Sequence, residues 1–329
     1  VSRIHPRPGA PVTLIASGVE FTNLDDGRSL TTIRDRVLSA NVYIGSFPAA
    51  EALRAGADIV VSGRTTDPGL VVSPLIAEFG WATGDWDLMA AGVTVGHLLE
   101  CSTQVTGGNY SGDWWAHGDF SRPGFPIAEC SPDGTSVITK PDGTGGVVSF
   151  DTVREQLMYE VHDPAAYLNP DVTADFTSVR LTDLGGDRVQ VSEVRGSSRP
   201  ETYKGLVCTR AGFSGEARLP YGWPDAEAKA RAAARFLRAR AEDLGIEVLE
   251  WYEEYFGVDA FGGPTVDLAA VEGAGMEPPE VMGRLVWRCE DRSAAASLMA
   301  EFRAMGLGGP PMVSPFGRAR ESGPTQLLS

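Results

Sequence analysis

The chain has 329 residues, 43% of them hydrophobic, which is enough to fill one large core or two ordinary ones. Lys and Arg number 28 against 44 Asp and Glu, a formal charge of −16. That balance argues against nucleic acid and against an anionic membrane surface, since both are bound through clustered cations. No apolar run approaches the roughly 20 residues of a spanning helix. The opening Val1-Ser-Arg-Ile-His-Pro lacks the apolar core of a signal peptide. The expectation is a soluble cytoplasmic protein. Cys101, Cys130, Cys208 and Cys289 are far apart, with no Cys-x-x-Cys pair, which excludes a zinc ribbon, an iron–sulfur cluster or a disulfide scaffold. The start at Val1, followed so soon by the strand-like Val12-Thr-Leu-Ile-Ala16, reads as a domain that has lost its front.

In chain order, Leu30 to Ala40 is predicted helical, with Ile33 and Val37 on one face. Pro48 to Ala55 reads as a short helix stopped by Gly56, and Ala57 to Ser62 as a buried strand. Asp67-Pro68 places a capping carboxylate before a proline at the first helical position, and Leu70 to Phe79 follows until Gly80. Asp85 is expected to cap a long helix from Trp86 to about Gln104. The Gly-rich aromatic stretch Gly107 to Trp115 is loop chemistry. Ser136 to Lys140 predicts a strand, Pro141 to Gly146 a turn, and Asp151 to Glu160 a helix capped by Ser149 or Asp151. Phe176 to Leu184 and Arg188 to Val194 predict a hairpin around Gly185-Gly-Asp187. Tyr203 to Arg210 reads as a strand, Asp225 to Asp243 as an amphipathic helix and Glu247 to Phe256 as a strand. Gly257 to Pro279 reads as a long loop, with a strand from Arg284 to Cys289 and a helix from Ser293 to Met305 after it. The texture predicts an α/β fold: a sheet covered by helices over residues 1–165 and a smaller α+β domain over 166–329.

The most informative segment is Gly96-His-Leu-Leu-Glu-Cys-Ser-Thr-Gln104. On a helix, His97, Glu100, Cys101 and Gln104 fall at i, i+3, i+4 and i+7, on one face. A base, a carboxylate, a thiol and an amide on one stripe point to acid/base or nucleophilic chemistry. The alternative is a solvated face with Cys101 as a small hydrophobe. A divalent metal version would use His97 and Glu100, with Asp67 or Asp113 completing the set. A second candidate is Lys140-Pro-Asp-Gly143-Thr144-Gly145-Gly146, whose amides and ammonium would cradle an anion, against a plain surface turn. It matches neither a Walker loop nor a dinucleotide fingerprint. A third is Ser62-Gly-Arg64-Thr-Thr-Asp67, where Arg64 would pair with a carboxylate at a strand's carboxyl end and Asp67 would cap a helix. Asn109, in Gly-Gly-Asn-Tyr, would donate to a developing oxyanion, or serve the turn. Trp114 and Trp115 would face opposite ways, one capping an apolar pocket, or pack in the core.

Several ordered segments together resemble the acyclic terpene utilisation AtuA family, also described as a domain of unknown function. They are Ser39-Ala-Asn-Val-Tyr-Ile-Gly45, Gly56-Ala-Asp-Ile-Val-Val-Ser-Gly-Arg-Thr-Thr-Asp67, Gly96-His-Leu-Leu-Glu-Cys101 with Thr106-Gly-Gly-Asn-Tyr110, Gly124-Phe-Pro-Ile-Ala-Glu129, and Ile138-Thr-Lys140 with Gly143-Thr-Gly-Gly146. The resemblance implies degradation of acyclic terpenoids through CoA thioesters. It also implies cleavage of a branched 3-hydroxyglutaryl-CoA into acetate and a 3-oxoacyl-CoA, and a further N-terminal stretch absent here. On that basis the substrate is an acyl-CoA or a branched acid. His97 would be the acid/base, Glu100 its partner or a second base, Cys101 the proton donor, Asn109 and Lys140 the oxyanion contacts and Arg64 the carboxylate anchor, in a chain that can form homo-oligomers. The rival readings are a non-catalytic acyl-CoA-binding or assembly subunit, and a hydratase or hydrolase on related thioesters.

Overall fold

The computed structural model describes residues 2–4, 21–118, 120–261, 277–313 and 320–328. It is a mixed α/β structure in two compact units, Val1–Val19 with Ala40–Leu206, and Glu20–Ser39 with Val207–Ser329. The strand expected at Val12 to Ala16 and most of the loop expected from Gly257 lie outside the described residues.

Strand β1 (Ser2–Ile4) is the first described element. The helix expected from Leu30 is instead a single 3-10 stretch, Leu30–Arg36, followed by β2 (Val37–Val42). Thr31, Thr32 and Ile33 are β-branched and favour extended backbone, and Ser29 caps only the first turn. Helix α1 (Phe47–Arg54) ends at Ala55, directly before Gly56, as expected. β3 (Val60–Ser62) pairs in parallel with β1. It is not the buried strand expected, because Ile59 and Val61 are exposed.

Helix α2 (Gly69–Phe79) ends at Gly80, which takes the left-handed conformation. Its N-cap is Pro68, so Asp67 does not cap it. Helix α3 (Trp86–Glu100) is buried around its whole circumference from Met89 to Leu98. Asp85 stands at the N-cap of α3, as expected, but makes no side-chain cap hydrogen bond. Its carboxylate accepts the Ala82 N–H at 2.8 Å instead. Close packing of α3 depends on Gly96, because a Cβ there would stand 2.6 Å from the Pro68 backbone. The Asp67-Pro68 turn therefore rests directly on the last turns of α3.

The rest of this unit is antiparallel. β4 (Ile127–Cys130) and β5 (Ser136–Thr139) lead to α4 (Phe150–Met158), which Ser149 starts with a capping box. β6 (Tyr167–Asn169) and β7 (Val172–Asp175) form a hairpin. Phe176–Ser178 is a 3-10 turn, so the strand expected from Phe176 begins only at β8 (Arg180–Asp183). β8 pairs with β9 (Val189–Ser192) across the expected turn, where Gly185, Gly186 and Asp187 all have positive φ. β10 (Arg195–Ser197) joins β7. The core gathers Val72, Ile76, Met89, Leu98, Ile138 and Val153.

The second unit has a different plan. β11 (Gly205–Gly222) runs far beyond the expected end at Arg210, and α5 (Ala226–Asp243), β12 (Glu250–Phe256) and β13 (Glu280–Cys289) follow. α6 (Arg292–Gly308) and β14 (Arg320–Leu328) complete it. The sheet order is β12-β13-β11-β14 with antiparallel pairings. A strand-helix-strand-strand-helix-strand chain in that order is a split βαβ arrangement of the ferredoxin-like type. Leu285, Trp287 and Cys289 pack with Leu237, Leu298 and Phe302 of the helices. On the opposite face Arg284 bridges Glu216 at 3.1 Å and Glu254 at 2.6 Å.

Candidate functional site

The polar stripe expected along one helix face does not run its full length. α3 stops at Glu100, because Ser102 turns to a positive φ of 60° and Gln156 of α4 donates its Nε2 to the His97 carbonyl at 3.0 Å. Cys101 therefore caps the helix, and Gln104 lies in the short 3-10 turn beyond it.

His97 is 1% exposed and packs its ring between Tyr167 and Phe176, at centroid distances of 5.4 and 5.3 Å. Its Nδ1 lies 3.0 Å from Glu100 Oε1. His97 Nε2, Glu100 Oε2 and Gln156 Oε1 are all buried without a partner. A buried polar atom left unpaired costs about 1–3 kcal/mol, so three in one place call for an explanation. The Glu100 side chain keeps 16% of its surface open against 2% for His97. Glu100 is thus the more open member of the pair, although its free Oε2 is itself buried.

Cys101 is half-buried beside this pair. Burial pushes its thiol up, a hydrogen bond from Gln156 opposes this, and the negative charges of Glu100, Glu160 and Asp67 push it further up. Tyr167 is raised by burial and by Glu100, Asp67, Cys101 and Glu160. The charges of Glu100, Asp67 and Glu160 thus act on both Cys101 and Tyr167 near the end of α3. An ordinary thiol is already mostly protonated at neutral pH, and these effects push Cys101 further to that side. In a variant keeping only Cys101, iodoacetamide alkylation should show its half-point above that of an ordinary thiol of about 8.5. A half-point below that value would contradict the assignment.

Arg64 donates to the Tyr43 hydroxyl at 3.2 Å, stacks over that ring at 4.6 Å and faces Asp67 at 3.5 Å. It remains substantially exposed, on the turn that follows β3. Residues not anticipated from sequence complete this side. Asn169 donates to Thr66 Oγ1 at 3.3 Å, and its own side-chain oxygen accepts the Asp171 N–H at 3.0 Å. Asp171, 5% exposed, accepts the Ser46 N–H at 2.7 Å at the start of α1. Asp171 Oδ1 lies 2.0 Å from the position of a Gly45 Cβ, so only glycine fits there. Asn-Pro-Asp between two short strands was the available signal for this turn.

The Lys140 loop is committed elsewhere. Lys140 is 8% exposed, its Nζ meeting Asp187 at 3.0 Å and the Thr144 carbonyl at 3.2 Å. The N–H groups of Gly145, Gly146 and Val147 donate to the carbonyls of Arg122, His117 and Thr106. Those amides are not presented to an anion, and Gly143 and Thr144 form the tip of the turn. The metal version does not fit either. Among the described residues no three His, Cys, Asp or Glu side chains are arranged to hold an ion. Asp113 instead approaches His117 Nε2 at 4.0 Å.

A cleft of about 1110 Å³ lies near the end of α3, lined by residues that include Gln104, Asn109, Tyr110, Trp114, Arg154 and Tyr159. Asn109 sits on its rim with a φ of 57°. Glu160 and Cys101 both raise Tyr159, which ties this wall to the thiol electrostatically. Among the described residues no helix is long and apolar enough to cross a membrane.

No curated protein and no solved structure matches the chain. A family model described as acyclic terpene utilisation family protein AtuA matches residues 12–328, nearly its whole length. The chain belongs to that family and so has a role in acyclic terpene utilisation.

Proposed function

We propose that the protein is a carbon–carbon lyase acting on a branched 3-hydroxyglutaryl-CoA-type thioester. In this reading a base removes the proton of the tertiary hydroxyl, and the oxygen's electron pair forms the carbonyl of a 3-oxoacyl-CoA. The bond to the carboxymethyl arm breaks, its electrons form an acetate enolate, and a proton delivered to that carbon gives acetate. The reaction needs one base, one acid and a donor to anionic oxygen.

The observation that carries the reading is the buried His97–Glu100 pair with Cys101 at the C-cap of the same helix. Glu100 serves as the base, with Oε2 the atom that lacks a partner. His97 is its positioning residue, since its own ring is closed off from any ligand. Cys101 protonates the enolate. Asn109 supports anionic oxygen from the cleft rim, Gln104 lines the approach, and Arg64 holds the substrate carboxylate. Incubation with 3-hydroxy-3-isohexenylglutaryl-CoA, followed by mass spectrometry, should yield acetate and the 3-oxoacyl-CoA. No products, with or without a divalent metal, would remove the lyase reading. Hydrated or free-acid products would replace it with a hydratase or hydrolase.

A further inference from the structure

We infer that the cleft beside Cys101 seats an aliphatic chain between Trp114, Phe120 and Met158, and that Arg154 on its wall receives the carboxylate at the end of that chain. The ligand so defined is a medium-chain carboxylate distinct from the proposed thioester substrate, whose one free carboxylate is assigned to Arg64.

Trp114 is 52% exposed, Phe120 43% and Met158 49%, and all three line one concavity. Apolar side chains held open to water within a single cleft mark a ligand site more often than a solvated surface. One part of the wall is held by stacking. Tyr110 stacks on the buried His117 ring, at 4.8 Å and 17°. Elsewhere the rings are not parallel: Trp114 meets Phe120 at 54° and Trp115 at 78°. No parallel-faced slot is formed for a flat base, whereas tilted rings and a flexible thioether fit the round cross-section of a hydrocarbon chain.

The polar groups specify the charge of its end. Glu155 is already engaged, accepting from the Ser111 N–H at 3.0 Å and its hydroxyl at 2.8 Å. Arg154 is the one cation lining the cleft among the described residues. Its side chain is 59% exposed, with Asp151 at 2.9 Å on the side of the helix and Phe150 beneath at 5.4 Å. On a chain of charge −16, a local cation of this kind decides where an anion rests.

The test is calorimetric binding of decanoate to the full chain, with decanol, decylammonium, acetate and adenosine monophosphate as the other arms. Decanoate should bind, acetate and the nucleotide should not, and decylammonium should bind more weakly than decanoate. Trp114→Ala should weaken decanoate about tenfold by removing apolar contact. Arg154→Gln should weaken decanoate and leave decanol unchanged, which a folding defect would not do. Absence of decanoate binding, insensitivity to Trp114→Ala, or equal affinity for decylammonium would each overturn the inference. Because no turnover is involved, decanoate binding as expected with no thioester cleavage would sink the lyase reading alone. Cleavage with no binding of decanoate would sink the cleft alone.

Discussion

Glu100→Gln should lower kcat by about 10²–10⁴-fold, the usual contribution of a positioned general base, and leave the fold intact. The amide keeps an oxygen for His97 Nδ1 and nearly the same volume, so the thermal midpoint should barely move. His97 is a separate case, because its ring is packed against Tyr167 and Phe176. His97→Phe preserves that packing while removing the hydrogen bond that orients Glu100. It should therefore cost less than Glu100→Gln, and the double variant should lose no more than Glu100→Gln alone, since both act through one carboxylate. A pH–rate profile separates positioning from base chemistry. The limb due to the base should disappear in Glu100→Gln and persist in His97→Phe. Additive losses in the double variant, or a Glu100→Gln enzyme with unchanged kcat, would mean that Glu100 is not the base.

The roles of these two side chains show where sequence reasoning stops. The i, i+3 spacing of His97 and Glu100 was enough to predict that they touch, because helix geometry alone fixes that distance. It did not reveal which of the two is closed off. That depends on Tyr167 and Phe176, some seventy to eighty residues later in sequence, arriving over the ring. Nor did spacing reveal where the helix ends, which Gln156 decides from another helix by taking the His97 carbonyl. Local punctuation was legible: Gly80 ends α2, Ser149 starts α4, and Gly185-Gly-Asp187 turns the β8–β9 hairpin. Carboxylates before helices were less so. Asp67 and Asp85 have capping chemistry in sequence, yet each spends its carboxylate on another partner. The Lys140 loop had the composition of an anion cradle, but its amides were claimed by carbonyls from residues 106, 117 and 122. Long-range pairing, invisible to a local pattern, decided those cases.

Asp171 carries the second large effect, on stability. Its carboxylate accepts the buried Ser46 N–H at the first turn of α1 and rests against the bare Cα of Gly45. Asp171→Ala leaves that N–H without a partner, at a cost of about 1–3 kcal/mol. For a chain of this size the thermal midpoint should drop by about 1–5 °C. The charge itself acts in the opposite direction. Burial raises the Asp171 carboxyl above its ordinary value, and the Ser46 hydrogen bonds and the Arg199 charge offset this only in part. Between the ordinary value, about 4, and the raised one, the folded chain holds a proton that the unfolded chain has released. The contribution to stability is therefore fully present below the ordinary value and is lost as pH rises through the folded one. Asp171→Asn keeps an oxygen for Ser46 and cannot ionise, so it isolates this component. The stability of the wild-type chain relative to Asp171→Asn, from denaturant unfolding at stepped pH, should fall across that window and level off above it. A difference that grew with pH would mean that the Ser46 amide and the α1 N-terminus stabilise the carboxylate by more than burial costs it. Asp171 would then serve the fold as an anion at a helix terminus, not as a buried acid.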